Sequence, residues 1–454
     1  MLYSINPTDG NTISSYEEME KDRISKIIEK AHHTFLNWKE TDFNFRSQRM
    51  KKAAFILKNR NEELAKLMTM EMGKPIAQSR AEVEKCAWVC DYFAANAENF
   101  LKDEIIETEA QKSFVTFQPL GVILAIMPWN FPFWQVFRFA APNLMAGNAG
   151  ILKHSSNVSG CSLAIEKVFL DAGFPEGLFA SLLVPSKNMD DIIENKRIKA
   201  VTLTGSVPAG RSVAAKAGAM LKKTVLELGG SDPYVILDDA DLETTAGICV
   251  ASRMLNGGQS CIAAKRFIIT SKIYDEFENI FVRKMNEKKM GNPFDESNFL
   301  GPQASIQLRD ELHQQVLDSI NKGAKLLLGG IIPEGEGAFY PPTVLTNVIK
   351  GMPAYEEELF GPVAALIKAK DEDEAIKIAN DTSFGLGAAV FTSDEKRGTL
   401  IAKERLNAGC CFVNDFVKSD PRLPFGGIND SGYGRELATF GIREFVNIKT
   451  VYLK

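Results

Sequence analysis

The chain contains 454 residues, enough for two or three domains of ordinary size. Its 53 basic and 58 acidic side chains give a net charge of −5, and neither sign is concentrated in one block. A hydrophobic content of 45% with 24% charged residues excludes wholesale disorder. A nucleic-acid binder is expected to carry a basic excess, so we expect no nucleic-acid partner.

The compartment is predicted from the N-terminus and the cysteines. The first residues lack the charged and then apolar profile of a signal peptide. The longest strongly apolar run, from Val122 to Met127, is far too short to span a membrane. Seven scattered cysteines favour a reducing interior over a disulfide framework, and no His or Cys spacing typical of zinc ligands occurs. We therefore expect a cytoplasmic protein with no membrane partner and no metal.

The apolar periodicity predicts helices first and alternating elements afterwards. The first hundred residues are predicted to be helical from Asp22 to Trp38, from about Asn44 to Met72, and from about Ala77 to Asn99. From Ser113 onward, strands alternate with helices as far as about Asn414, and a strand-like segment ends the chain. This alternation predicts an α/β fold with parallel, doubly wound sheets.

Three residues are candidates for catalysis. Glu227 precedes two glycines at a strand end, where open α/β sheets bind ligands, although a solvated loop glutamate fits as well. Cys261 follows a glycine-rich turn that would expose a nucleophilic thiolate, the alternative being a buried structural cysteine. Asn130 lies at a strand-to-helix junction, where its amide could face a developing oxyanion or could simply cap the helix.

The order of five short motifs makes the sequence resemble one family. The motifs are Pro128-Trp-Asn-Phe-Pro132, Glu227-Leu-Gly-Gly230, Gly258-Gln-Ser-Cys261, Glu358-Leu-Phe-Gly-Pro362 and Pro424-Phe-Gly-Gly427. In this order they are similar to the motifs of aldehyde dehydrogenases, and the resemblance covers essentially the whole chain.

The resemblance implies an architecture with three parts. A Rossmann-type cofactor-binding domain would comprise residues 1–105 and 122–232, and an α/β catalytic domain residues 233–416. Residues 106–121 and 417–454 would form a β oligomerisation arm with the C-terminal segment. A homodimer or homotetramer is implied.

The resemblance also implies a mechanism. Cys261 would attack the aldehyde, and the Asn130 amide with the Cys261 backbone N–H would hold the oxyanion of the thiohemiacetal. After hydride transfer to the nicotinamide, Glu227 would activate the water that hydrolyses the thioester.

The cofactor residues follow from the same resemblance. They are Trp129, Lys153, Ser156, Gly205, Ser206, Leu228, Glu358 and Phe360. Ser156 stands where many NAD-preferring relatives carry a Glu, whose carboxylate would repel a 2′-phosphate. NADP is therefore expected to be preferred over NAD, unless Ser156 has no influence on the choice.

The substrate is implied by similarity to the short bacterial succinate-semialdehyde dehydrogenases. Arg138 and Ser419 match residues that hold the substrate carboxylate, and Trp134 lines the same side of the site. Leu255 departs from the pattern, since some relatives place a second Arg there. The alternatives are a structural ion pair for Arg138 and a general short-chain aldehyde dehydrogenase.

A rival hypothesis comes from another class of protein. Gly205–Ser212 is one residue away from a phosphate-binding P-loop, which would suggest an NTPase. Arg211 replaces the essential Lys, however. The NTPase hypothesis also leaves Cys261, Asn130 and Glu358 unexplained.

Overall fold

The computed structural model describes all 454 residues, and two large sheets organise them. The first is parallel except for one antiparallel edge strand. In spatial order its strands are Gly432–Tyr433, Lys223–Glu227, Ile198–Thr204, Val122–Met127, Ala149–His154 and Phe179–Ser181. Four of its strands end at Met127, His154, Thr204 and Glu227, so the residues that follow them meet at one edge.

The second sheet has seven strands and is also parallel except at one edge. Its strands, in spatial order, are Lys325–Leu328, Thr343–Thr346, Val363–Ala369, Arg266–Thr270, Pro233–Ile236, Gly387–Phe391 and Cys410–Val413. All but the first strand run parallel, and the five strands between the two edges are largely buried, as expected of sheets covered by helices on both faces.

Fifteen α-helices accompany the strands, which confirms the predicted α/β class. Eight precede the second sheet: Lys21–Trp38, Phe43–Asn59, Asn61–Met72, Ile76–Phe100, Trp134–Met145, Ser159–Asp171, Met189–Glu194 and Val207–Ala219. The other seven are Leu242–Met254, Tyr274–Asn286, Ile306–Asn321, Pro353–Glu356, Glu372–Asn380, Glu395–Leu400 and Ala438–Arg443. No helix is both long and apolar enough to cross a bilayer.

A third sheet joins the two segments assigned to the arm. Val446–Leu453 pairs antiparallel with Lys112–Pro119, which in turn pairs with Glu104–Ile105. The C-terminal strand has no strand on its other side and exposes Ile448 and Tyr452. The role of this sheet in assembly and the proposed domain boundaries stay predictions.

Three details differ from the sequence-based expectation. The chain does not begin with a helix, because Leu2–Ile5 and Thr12–Tyr16 form an antiparallel hairpin whose turn is completed by Gly10 at φ +75°. The long helix expected up to Met72 is interrupted at Arg60, which leaves helical geometry at φ −102° and ψ 17°. The C-terminal segment also supplies Gly432–Tyr433 to the first large sheet, which local periodicity could not reveal.

Candidate active site

A strained turn positions Cys261. After helix Leu242–Met254, the backbone enters the left-handed region at Asn256, Gly257 and Gly258. A Cβ atom on Gly258 would lie 2.1 Å from the carbonyl oxygen of Gly361, so only glycine allows this close approach. The turn therefore holds the cysteine loop against the loop that carries Gly361.

Cys261 lies where two cavities meet. One cavity has a volume of about 190 Å³ and the other about 260 Å³, and Cys261 lines both of them together with Gln135. Lys265 fixes the loop from behind, because its ammonium donates to the carbonyl oxygen of Cys261 at 2.8 Å. The thiol is thus accessible from two sides.

Two hydrogen-bond donors accompany the thiol. Asn130 lines the larger cavity, and its Nδ2 donates one hydrogen bond, to the Gln259 carbonyl at 3.1 Å, which leaves its second N–H free. The Cys261 backbone N–H has no acceptor within the protein. Asn256 Nδ2 holds the Asn130 carbonyl at 2.7 Å. The free Asn130 N–H and the Cys261 backbone N–H are the two donors that an oxyanion hole requires.

The electrostatic surroundings of Cys261 favour the neutral thiol in the free protein. Burial raises its pKa to about 12, and Arg138 opposes this shift. The sulfur must therefore lose its proton before the sulfur can act as a nucleophile.

Glu227 lies outside both cavities. It is the last residue of its strand and is buried, and neither of its carboxylate oxygens accepts a hydrogen bond from the protein. Burial and the neighbouring Glu436 raise the pKa of Glu227 well above its ordinary value. To reach a group bound at Cys261, the Glu227 side chain would have to turn from this position.

The larger cavity collects six of the eight expected cofactor residues. Trp129, Gly205, Ser206, Leu228, Glu358 and Phe360 all line it. The Trp129 and Phe360 rings meet edge to face with their centroids 5.7 Å apart. Glu358 accepts a hydrogen bond from the Gly230 backbone N–H at 3.0 Å, and burial raises its pKa.

This lining fits a dinucleotide. Ser206 is the N-cap residue of helix Val207–Ala219, but its hydroxyl does not cap the helix. The N-terminal end of that helix therefore faces the cavity with uncompensated positive character, which suits a pyrophosphate. Gly205 leaves room beside it, since a Cβ there would meet only Leu203 at 3.6 Å.

Lys153 and Ser156 do not line this cavity, although Lys153 lies near the end of strand Ala149–His154 and Ser156 follows it. Lys153 pairs with Ile126, one residue before the end of the ladder, and donates to Ser186 Oγ at 3.2 Å. Ser156 begins the short turn Ser156–Val158. Between them, His154 accepts from the Ser155 N–H at Nδ1, so its Nε2 donates to the Pro132 carbonyl at 2.8 Å. His154 thereby pins the loop that carries Asn130.

The smaller cavity brings together the three residues expected at the substrate. Trp134, Arg138 and Ser419 all line it, and Trp134 Nε1 donates to Ser419 Oγ at 3.1 Å. Glu82 accepts hydrogen bonds from the Phe133 and Trp134 backbone N–H groups at 2.9 Å each. This carboxylate caps the helix that carries Trp134 and Arg138.

Arg138 makes the ion pair that was the alternative to a substrate role. Its Nε contacts Glu436, and the side chains are 2% and 6% exposed. One terminal nitrogen reaches Thr204 Oγ1 at 3.4 Å, and the guanidinium lies 4.9 Å from the Phe425 ring centroid. Arg138 therefore lines the cavity with most of its charge already compensated.

Comparison with known proteins decides the family. The model described as "Aldehyde dehydrogenase family" matches residues 2–451. The chain belongs to the aldehyde dehydrogenase family. This match confirms the resemblance seen in the motifs and excludes the P-loop hypothesis. Arg211, which would have replaced the P-loop Lys, is exposed and pairs with Asp430 at 2.9 Å.

Individual relatives within the family are similar over nearly their full length. The succinate semialdehyde dehydrogenase (NAD(P)+) Sad of Escherichia coli is 49% identical over 449 residues, 99% of this chain and 97% of the relative. The succinate-semialdehyde dehydrogenase (NADP+) of Mycobacterium avium is 47% identical over 456 residues, 100% of this chain and 96% of the relative. The crystal structure of succinic semialdehyde dehydrogenase from Streptococcus pyogenes with NADP+ superposes with a TM-score of 0.98 at 36% identity, covering 100% of both chains.

Two charged residues of this aldehyde dehydrogenase were missed by the sequence analysis. Glu436, the partner of Arg138, lies almost 300 residues away along the chain and gave no local signal. Lys85 lines the smaller cavity from helix Ile76–Phe100. The only available signal was the spacing of Gln78, Glu82 and Lys85, which places three polar side chains on one helical face.

Proposed function

We propose that the enzyme oxidises succinic semialdehyde to succinate and uses NADP in preference to NAD. The observation that carries this proposal is the position of Cys261 on the wall shared by two cavities. One cavity is lined as a dinucleotide requires, and the other is narrow, partly aromatic and rich in basic side chains. Relatives that are 47–49% identical and named for this reaction support the same substrate.

In the first step, the Cys261 sulfur loses its proton to solvent, and the thiolate attacks the aldehyde carbon. The resulting thiohemiacetal places its oxyanion against the free Asn130 N–H and the Cys261 backbone N–H. A bound nicotinamide supplies the acceptor for a hydride. Loss of that hydride from the thiohemiacetal carbon leaves a thioester on Cys261.

In the second step, Glu227 acts as the general base that removes a proton from water. The water oxygen attacks the thioester carbon, the carbon–sulfur bond breaks, and the acid leaves with the thiolate restored. The carboxylate of Glu227 must be ionised and must turn toward Cys261. Burial and the neighbouring Glu436 raise its pKa and so favour the protonated form in the free enzyme.

The preference for NADP is proposed from Ser156 and Lys153. Neither residue places a negative charge near the expected position of the adenosine ribose, and Lys153 supplies a cation there. Trp134, Arg138 and Ser419 are proposed to contact the substrate on the other side of Cys261.

A panel of aldehydes tests the substrate and the cofactor together. Succinic semialdehyde and butanal are each assayed with NADP and with NAD by the absorbance of the reduced nicotinamide. We expect kcat/KM for succinic semialdehyde to exceed that for butanal by at least about tenfold, with NADP ahead of NAD. Equal values for the two aldehydes would instead support a general short-chain aldehyde dehydrogenase.

We also propose that the three-stranded sheet serves as an oligomerisation arm in a homodimer or homotetramer. The free edge and the exposed apolar residues of Val446–Leu453 support this role, since such an edge otherwise invites uncontrolled pairing. Light scattering at micromolar concentration should give a multiple of the chain mass, and a monomer would contradict the proposal.

A further inference from the structure

The basic side chains of the substrate cavity differ in how their charges are compensated. The cavity is lined by Lys74, Lys85, Arg138 and Lys418. Three of them have carboxylate partners: Lys74 with Glu82, Arg138 with Glu436, and Lys418 with Asp415. Lys85 has no carboxylate oxygen within 4.0 Å, so it is the one cation of this cavity without an internal counter-ion.

The ammonium of Lys85 is nevertheless held in place. Its Nζ donates to Ser419 Oγ at 3.0 Å and lies 4.2 Å from the centroid of the Trp134 ring. The neutral hydroxyl and the ring face stabilise the cation without cancelling its charge. Two further N–H donors of the ammonium remain unused.

We propose that Lys85 is the specificity-determining residue that binds the distal carboxylate of the substrate, an inference that rests on the proposed function. A carboxylate entering this cavity loses water and needs an opposite charge that is not already neutralised. The charge of Arg138 is paired with the carboxylate of Glu436. Lys85 has no such partner and keeps two free N–H donors. Lys85 thus supplies a second cation in the cavity, where some relatives have an Arg at the position of Leu255.

The same arrangement gives no corresponding advantage to uncharged aldehydes. Butanal would fill the cavity but would leave the partly buried Lys85 ammonium without a counter-ion. The charge state of Lys85 depends on whether a carboxylate is bound beside it. Burial and the nearby Arg138 lower its pKa to about 8, and a bound carboxylate would favour the charged form again.

Three single variants test the proposal. Lys85→Met keeps the length of the side chain without its charge, Lys85→Arg keeps the charge, and Lys418→Met removes a lysine of the same cavity that Asp415 already pairs with at 2.6 Å. We expect Lys85→Met to lower kcat/KM for succinic semialdehyde at least about tenfold through KM, and to change that for butanal less than about twofold. Lys85→Arg should restore much of the loss, and Lys418→Met should resemble the wild type.

A second measurement does not depend on turnover of the charged substrate. Succinate is added as a competitive inhibitor of butanal oxidation, and its inhibition constant should rise about tenfold or more in Lys85→Met. Thermal unfolding of each variant shows whether the fold is intact. This measurement separates loss of carboxylate binding from a defect in the chemical step.

The outcomes separate this inference from the proposed function. If wild-type enzyme prefers succinic semialdehyde and Lys85→Met keeps that preference, the Lys85 inference is wrong and the proposed function stands. Equal losses for both aldehydes in Lys85→Met would also overturn the inference. If wild-type enzyme shows no preference for the charged aldehyde, the proposed function fails, and the role of Lys85 fails with it.

Discussion

The two cavities that meet at Cys261 are built in different ways. The cofactor cavity lies at the carboxyl ends of adjacent parallel strands, and glycines and loop backbone form much of its wall. The substrate cavity is lined by two helices, the cysteine loop and a C-terminal loop, and its charges belong to individual side chains. Lys74 and Arg138 form buried ion pairs, whereas Lys85 has no carboxylate partner. The first cavity is therefore a property of the fold, whereas the second depends on individual side chains.

Cys261→Ala removes the one wall group that both cavities need for reaction, so it should have the largest effect. We expect turnover to fall by about 10⁴-fold or more, because no other cysteine lines either cavity. NADP binding, measured by calorimetry, should persist. Cys411→Ala is the matched control, since Cys411 lies on a strand outside both cavities. Substantial turnover in Cys261→Ala would disprove covalent catalysis at this residue.

Glu227→Gln tests a residue that belongs to neither cavity in this structure. One equivalent of reduced cofactor should form in a rapid burst, and the steady-state rate should then fall by about 10²–10⁴-fold, because the thioester lacks a base for hydrolysis. Stopped-flow absorbance separates the two phases. Normal steady-state turnover would show that another group activates the water.

Arg138→Met breaks the substrate side by disrupting its buried ion pair. Without Arg138, the carboxylates of Glu436 and Glu227 lie together in the interior, which should cost about 3–5 kcal/mol of unfolding free energy. Adding Glu436→Gln should recover part of this stability, as measured by denaturant unfolding. If the double variant is no more stable than Arg138→Met, the pair is not the source of the loss.

The sequence predicted the cofactor cavity better than the substrate cavity. The residues around Cys261, Asn130 and Gly205 belong to local motifs, so their roles could be inferred from neighbours in the chain. Glu436 and Lys85 reach the site only because the C-terminal segment and helix Ile76–Phe100 pack beside Trp134–Met145. Such tertiary pairings leave no periodic pattern in the sequence. An ion pair for Arg138 could therefore be proposed from the sequence, but Glu436 could not be identified as the partner.

Ser156→Glu sharpens the cofactor side. The added carboxylate should repel the 2′-phosphate of NADP and accept hydrogen bonds from the ribose of NAD. We expect the ratio of kcat/KM for NADP to that for NAD to fall about tenfold. Ser156→Gln adds similar bulk without the charge and should leave the ratio nearly unchanged. A higher kcat/KM of wild-type enzyme with NAD would contradict the preference itself.

The smallest expected effect is a pH dependence confined to the substrate side. The groups that set the charge of Lys85 are Arg138 on the neighbouring helix, Glu82 and Cys86 on its own helix, and Asp420 on the C-terminal loop. With its pKa lowered to about 8, Lys85 is charged below that pH and loses its charge above it.

The preference for succinic semialdehyde over butanal should therefore be complete well below pH 8 and decline as the pH rises through about 8. Taking the ratio of the two kcat/KM values cancels the titration of Cys261 and Glu227, because both aldehydes require those residues. Lys85→Arg should keep the ratio constant over the same range, since a guanidinium stays protonated. A ratio that falls equally in Lys85→Arg and wild-type enzyme would assign the pH dependence to a group other than Lys85.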